Sequence, residues 1–318
     1  MTATIPSIPA AKPAAKPAAD KVSRLNTISA KRVIEPETEF TGKIGDGQVI
    51  PDELLSIAGL GLVDQLTAEQ KAALSREEIA SIANAGVRFE AVLTAGFALQ
   101  VVTTPDLVDP RVTYLFHEIG EESRHSRLFI HMIDQLAPKT ENPLRNKLLT
   151  AIERRGILHI IKRPALLYTL VLGGEEIPDL FQKLAGEHPD TDPYIQQVNK
   201  YHRMEEARHL SFARTVLPEV WERATMSDRL AVKFVAPLLI QGMFDTIVHP
   251  GVYAAAGLPT WKTWKAAKAA PERVALRHQA TRPVVRTLID GGVLRAGHVP
   301  PGWRRLCGID RHGDPVTA

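Results

Sequence analysis

The chain has 318 residues, 44% of them apolar and 6% aromatic, with 39 basic and 36 acidic side chains for a formal net charge of +3. That length supports one large domain or two, and that balance offers no stripe of charge suited to nucleic acid. Cys307 is the single cysteine, which excludes an internal disulfide and a cysteine-based metal site and fits a reducing, cytoplasmic setting.

Residues 1–33 are rich in Ala, Pro and Lys, with AAKPAAKPAAD close to a short repeat. Such a composition buries too little to offset its ordering entropy. It reads as a disordered tail ahead of a single domain over 34–318. Pro, Lys and Asp also deny it the unbroken apolar run of a signal peptide. Loop or short strand is expected over 34–52, then a short helix over 52–57 and another from Thr67. Ser75 followed by Glu78 reads as a capping box that opens a long helix over about 75–102. Asp109 and Pro110 form an N-cap and N1 pair opening a second helix, over about 110–136. A crossover helix is expected over 142–161 and a third long helix over about 164–186. Asp192 and Pro193 then repeat the cap signal and open a fourth, over about 192–216. Beyond it, helices over 227–248 and 271–289, the latter with Pro283 as a kink or break, would cover the open end of a bundle. Residues 293–318 read as irregular, and no strand pattern is sustained. The longest apolar stretch, over 230–244, is too short for a bilayer and is broken by Lys233, Pro237 and Gln241. No membrane-spanning helix is expected.

The fourth long helix carries YHRMEEARHLSFAR, in which His202, Glu206 and His209 fall within an arc of about 60° on one face. The second carries Glu122 and His125 at the i, i+3 spacing. Glu-x-x-His from each of two helices, plus one Glu from each of two others, is how a four-helix bundle builds a two-metal carboxylate site. Two lone glutamates stand where that scheme needs them. Glu90 is flanked by Phe89, Val92 and Leu93, where a surface carboxylate is out of place. Glu175 and Glu176 lie between the two motifs, and Glu175 is nearer the centre of its helix's apolar face. Four buried carboxylates are costly unless cations neutralise them, and two ferrous ions carry four positive charges. Oxygen and imidazole ligands without thiolate favour iron or manganese over structural zinc. Near the motifs, Glu118 and Asp179 read either as carboxylates that orient a ligand or as surface ion-pair members, while Glu121 and Glu205 lie beside the motifs without an assigned role.

His202 is a third histidine, one turn before Glu206. With it, the order Glu, Glu-x-x-His, Glu, His-x3-Glu-x2-His resembles the di-iron arylamine N-oxygenases, typified by p-aminobenzoate N-oxygenase. The resemblance spans roughly residues 75–212 and is carried by the two His-bearing helices. It implies an all-α fold, a ferritin-like four-helix bundle with additional peripheral and C-terminal helices. It also implies two iron ions held by Glu90, Glu122, His125, Glu175, His202, Glu206 and His209. The activity implied is oxidation of a small amine at nitrogen by O2, giving a hydroxylamine or nitro product. An external redox partner would supply electrons, since the sequence shows no flavin or iron-sulfur module. A homodimer is compatible with this reading. Alternatives are a di-iron hydroxylase or desaturase acting at carbon, a ferroxidase or iron-handling ferritin-like protein, and a metal-free helical interaction protein. No Gly-x-Gly-x-x-Gly, phosphate loop or Gly-x-Ser-x-Gly elbow is present, and His117-Glu118 lacks the second His of a zinc protease motif.

Overall fold

The computed structural model describes residues 15–31 and 33–316, with side chains from residue 18 onward. Its helices in chain order are α1 (Ala15–Lys31), α2 (Pro36–Glu39), α3 (Ala68–Thr103), α4 (Pro110–Leu136), α5 (Lys147–Ile160) and α6 (Pro164–Glu187). They continue with α7 (Pro193–Glu222), α8 (Met226–Leu230), α9 (Ala236–Thr246), α10 (Thr260–Ala269), α11 (Pro271–Asp290) and α12 (Pro301–Cys307). Short 3-10 turns join several of them, and a π-helical turn over Ala231–Val235 links α8 to α9. Among the described residues the one strand-like pairing is an isolated bridge between Ile309 and Pro315.

Four long helices make the bundle. Consecutive pairs α3/α4 and α6/α7 pack most extensively, and α5 forms the connection between the hairpins. Cap chemistry sets the start of three helices. Asp109 accepts from the Arg111 N–H ahead of α4, Asp192 from those of Tyr194 and Ile195 ahead of α7, and Asn146 from that of Leu149 ahead of α5. α11 and α9 lie on α6, and α12 closes over α9 and α11.

Four expectations need correction. α3 starts at Ala68, not Ser75, because Thr67 and Gln70 form the capping box. The Ser75 hydroxyl accepts from the Val49 N–H, and Glu78 accepts from the Ser56 N–H and hydroxyl, so both residues serve tertiary contacts within the helix. The tail reading fails over Ala15–Lys31, which form α1, while residues 1–14 lie outside the described residues. Val22, Leu25 and Ser29 share one helical face and are buried where α1 packs on α4 and α7, and Asn26 donates to the Pro110 carbonyl at 2.9 Å. Residues 301–307 form α12 around the buried Trp303 and Leu306 rather than irregular chain. Finally, Ala68–Thr103 and Met226–Ala256 are long and apolar enough, by length and composition, to cross a membrane. The first of these turns Glu77, Glu78 and Glu90 into the protein interior, and the second contains the π-helical turn.

The bundle interior is layered. At one end lies an apolar plug containing Leu93, Phe97, Tyr114, Leu167 and Phe212. A second, with Leu74, Ala83, Leu128, Phe129 and Val198, fills the other end. Between them each of the four helices contributes acidic residues or histidines, all buried. This arrangement follows from chain direction: antiparallel neighbours put Glu90, Glu122, Glu175 and Glu206 at the same height.

Candidate metal centre

The structure brings Glu90, Glu122, His125, Glu175, His202, Glu206 and His209 into one cluster, and adds Glu118 to it. Three groups of mutually close ligand atoms, each within 4.8 Å, comprise Glu90/His125/His202/Glu206, Glu118/Glu122/His209 and Glu90/Glu122/Glu175. Glu176, the alternative to Glu175, points away and pairs with Arg214. Of the arginines and acids near the motifs, Arg203 pairs with Asp179 at 2.8 Å on the bundle surface.

A repeated segment, Glu-Glu-x-Arg-His, occupies 121–125 of α4 and 205–209 of α7. Its first Glu in each copy turns to the histidine of the other copy. His125 Nε2 lies 3.0 Å from Glu205 Oε2, and His209 Nε2 lies 2.8 Å from Glu121 Oε2. An ionised carboxylate only accepts, so each Nε2 carries a proton, and each Nδ1 is the ring atom left to hold a metal ion. Those Nδ1 atoms face the cluster. His125 Nδ1 is 3.2 Å from Glu122 and 3.1 Å from Glu206, and His209 Nδ1 is 2.9 Å from Glu206 and 3.3 Å from Glu122. Arg208 joins the two orienting carboxylates, at 2.9 Å from Glu121 and 3.1 Å from Glu205, and the Tyr201 hydroxyl donates to Glu205 at 2.9 Å. His202 is held the other way round: its Nδ1 meets Gln182 Oε1 at 3.1 Å and its Nε2 stands 3.5 Å from Glu90 and from Glu206. A primary amide oxygen also only accepts, so Nε2 is the free donor atom.

Sequence reasoning weighed Glu121 and Glu205 without assigning them, because their roles depend on the facing helix. The doubled Glu-Glu-x-Arg-His was the signal available. Glu118 answers to neither reading given it. Among the described residues it forms no ion pair and no bond to a histidine, and both of its buried oxygens lack a hydrogen-bond partner. It stands one turn before Glu122, as His202 stands one turn before Glu206.

The residues fit a pair of metal ions. Alongside Glu118, the buried Glu90 Oε2, Glu122 Oε1, Glu175 Oε1, Glu206 Oε1 and His202 Nε2 have no hydrogen-bond partner among the described residues. Buried polar atoms rarely stay unpaired, and these converge on one place. Electrostatics agree. Burial and the charges of Glu90 and Glu206 push Glu122 and Glu175 well above the usual carboxylate range. Burial likewise pushes Glu118 up to about 8. Against the opposing effect of burial, hydrogen bonds to and charges of the surrounding carboxylates hold His125 and His209 well above the ordinary imidazole range. The layer as a whole is short of cations, and oxygen and nitrogen donors without thiolate suit iron or manganese.

A family model described as p-aminobenzoate N-oxygenase AurF matches residues 17–292. Among curated proteins, Uncharacterized protein Rv0885 of Mycobacterium tuberculosis is 29% identical over 172 residues, covering 54% of this chain and 50% of its own length. Uncharacterized protein Mb0909 of Mycobacterium bovis matches to the same extent, 29% over 172 residues with the same coverage of 54% and 50%. The chain thus spans about half the length of the curated relatives it matches. Two solved variants of an R2-like ligand-binding oxidase with an anaerobically reconstituted Mn/Fe cofactor are similar in structure. One has a TM-score of 0.44 at 13% identity, covering 84% of this chain and 92% of that one. The other has a TM-score of 0.45 at 14% identity, with coverage of 86% and 93%.

Proposed function

We propose, for a chain that belongs to the p-aminobenzoate N-oxygenase AurF family, that it uses two iron ions and O2 to oxidise a small amine at nitrogen. The observation that carries this reading is the convergence of five carboxylates and three imidazoles in one buried layer of the bundle. Glu122 and Glu206 each lie between the Nδ1 atoms of His125 and His209, which suits them to bridge. Glu90, His125 and His202 would complete one ion's surroundings and His209 and Glu118 the other's, with Glu175 close to Glu90 and Glu122. When bound, the ions supply the reduction of dioxygen and delivery of one oxygen atom to the substrate.

The protein's own groups hold this chemistry in place. Glu121 and Glu205 keep Nε2–H bonded and so keep Nδ1 of each histidine turned inward. Arg208 ties these two carboxylates together, so the orientation of one histidine is coupled to that of the other. The apolar plugs above and below the layer exclude water, which strengthens every charge interaction within it. For the first step the balance is an amine plus O2, two electrons and two protons giving a hydroxylamine and water. The electrons come from a separate reductant.

Single-turnover assays test the proposal. Protein loaded anaerobically with ferrous iron is mixed with O2 and a panel of arylamines, and products are read by mass spectrometry. Hydroxylamine formation with one atom from labelled O2 is the expected result. Oxidation at carbon, or iron oxidation with no substrate dependence, would overturn it.

A further inference from the structure

Away from the carboxylate layer, the C-terminal cover and the end of α7 enclose an open groove of about 730 Å³. That volume is typical of sites for small organic ligands. Its walls carry Arg229, Lys233, Arg295, Arg304 and Arg311, and no Asp or Glu. The whole chain has a net charge of only +3, so this is a local concentration of positive charge. None of these side chains forms an ion pair among the described residues. Arg229 donates to the backbone carbonyls of Trp221, Glu222 and Ala224, and Arg311 meets His312. Among the described residues Lys233, Arg295 and Arg304 have no such partner, and the Arg304 Nε is buried without an acceptor. A guanidinium partly stripped of water with nothing to bond is unfavourable, and an oxyanion is the group that matches its geometry.

The groove has an apolar element as well. Phe234 lines it with 55% of its surface exposed. Trp221 lines it too, with the Arg229 guanidinium 5.1 Å from its ring centre. Cations spread across an open wall beside an exposed ring suit a flat molecule bearing several anionic groups. Trp221 lies twelve residues beyond His209 on α7, about 18 Å along the helix axis, so the groove is separate from the metal layer. The family match ends at residue 292, and the wall from Val293 to Arg311 lies beyond it.

We propose that this groove binds an organic polyphosphate carrying a flat ring, of the nucleoside di- or triphosphate class. Phosphate oxygens bond Arg304 and Arg295, and the ring lies against Phe234. The proposal is independent of the chemistry at the metal layer.

Calorimetry on the full chain at fixed ionic strength, with ATP, inorganic tripolyphosphate and adenosine as probes, tests it. Expected are saturable one-to-one binding of ATP, binding of tripolyphosphate weaker by about tenfold, and no detectable binding of adenosine. Arg304→Ala and the surface change Arg295→Glu should each weaken ATP by about tenfold or more, while Arg154→Glu on the exposed face of α5 leaves it unchanged. Arg295 is exposed, so its variant tests the groove even if Arg304→Ala folds poorly. Absence of saturable ATP binding would overturn the proposal, as would equal affinity in the Arg295→Glu protein. Tripolyphosphate binding as tightly as ATP would overturn the nucleotide class.

Discussion

The two ligand helices α4 and α7 present the same five-residue motif from opposite sides of the bundle, yet they differ one turn upstream. There α7 places His202, held by Gln182, whereas α4 places Glu118, whose oxygens have no hydrogen-bond partner among the described residues. Around these positions the layer is close to two-fold symmetric, with crossed bonds from Glu121 to His209 and from Glu205 to His125. Repetition builds the frame, and departure from repetition would distinguish the two proposed metal positions. One ion would see two imidazoles and the other one imidazole and an additional carboxylate, so the two would differ in electron donation and charge.

The sharpest way to break the comparison is to remove a bridging group. Glu122→Ala and Glu206→Ala should reduce bound iron from about two per chain to near none while leaving most helicity, because on the proposed reading each carboxylate would serve both positions. Metal analysis with circular dichroism checks this, and retention of one tight ion in either variant would show that the bridge reading is wrong. Next come the orienting carboxylates. Glu121→Gln and Glu205→Gln should each weaken metal binding by about 10–100-fold, measured by competition with a chelator. The loss should be smaller for Glu205→Gln, because Tyr201 still donates to that side chain.

The upstream pair separates the halves. Glu118→Ala should weaken one ion of the two and leave the other's affinity unchanged. His202→Ala should keep substantial iron but turn over with much less amine oxidised per O2 consumed. Cobalt titration followed by absorption resolves two sites of unequal affinity in the first case, and product and oxygen measurements address the second. Equal iron binding and coupling in both variants would make the asymmetry irrelevant to function.

A buried carboxylate outside the layer gives the smallest effect and a reference for the rest. Burial raises Glu78 to about 7, opposed by its bonds to Ser56 and the nearby Arg273. A carboxyl with a raised folded-state value binds more protons folded than unfolded between the ordinary carboxylate range and about 7. Its contribution therefore destabilises increasingly as pH rises through that window, and the full penalty stands above it. Glu78→Gln should gain thermal stability relative to the parent chain at pH 8 compared with pH 5, by scanning calorimetry at constant metal. A difference independent of pH would show that Glu78 ionises normally.

How much of this was legible in the chain depends on whether a residue's partner is local. Asp109 and Asp192 announced their helices because a cap bonds within its own turn. The ligand spacing was visible because helical periodicity alone puts Glu206 and His209 on one face. Ser75 and Glu78 misled for the complementary reason: they have the spacing of a cap, but their partners are Val49 and Ser56. Helix α1 was hidden by the averaging of composition over its Pro-rich surroundings, although Val22, Leu25 and Ser29 have helical spacing. Glu121, Glu205 and Glu118 acquire meaning only from the facing helix, whose register no single segment specifies.

The stacking of a charged layer between two apolar plugs also bears on how the protein persists. Repulsion among the layer's carboxylates opposes packing the two plugs together, so bound ions would act as a keystone between them. Native-state stability then rises with the logarithm of free metal above the dissociation constant. Chains made under iron scarcity would open at mid-bundle first and be exposed to proteolysis there. Abundance of the protein would consequently follow metal supply, because the cofactor proposed to do the chemistry would also fasten the fold.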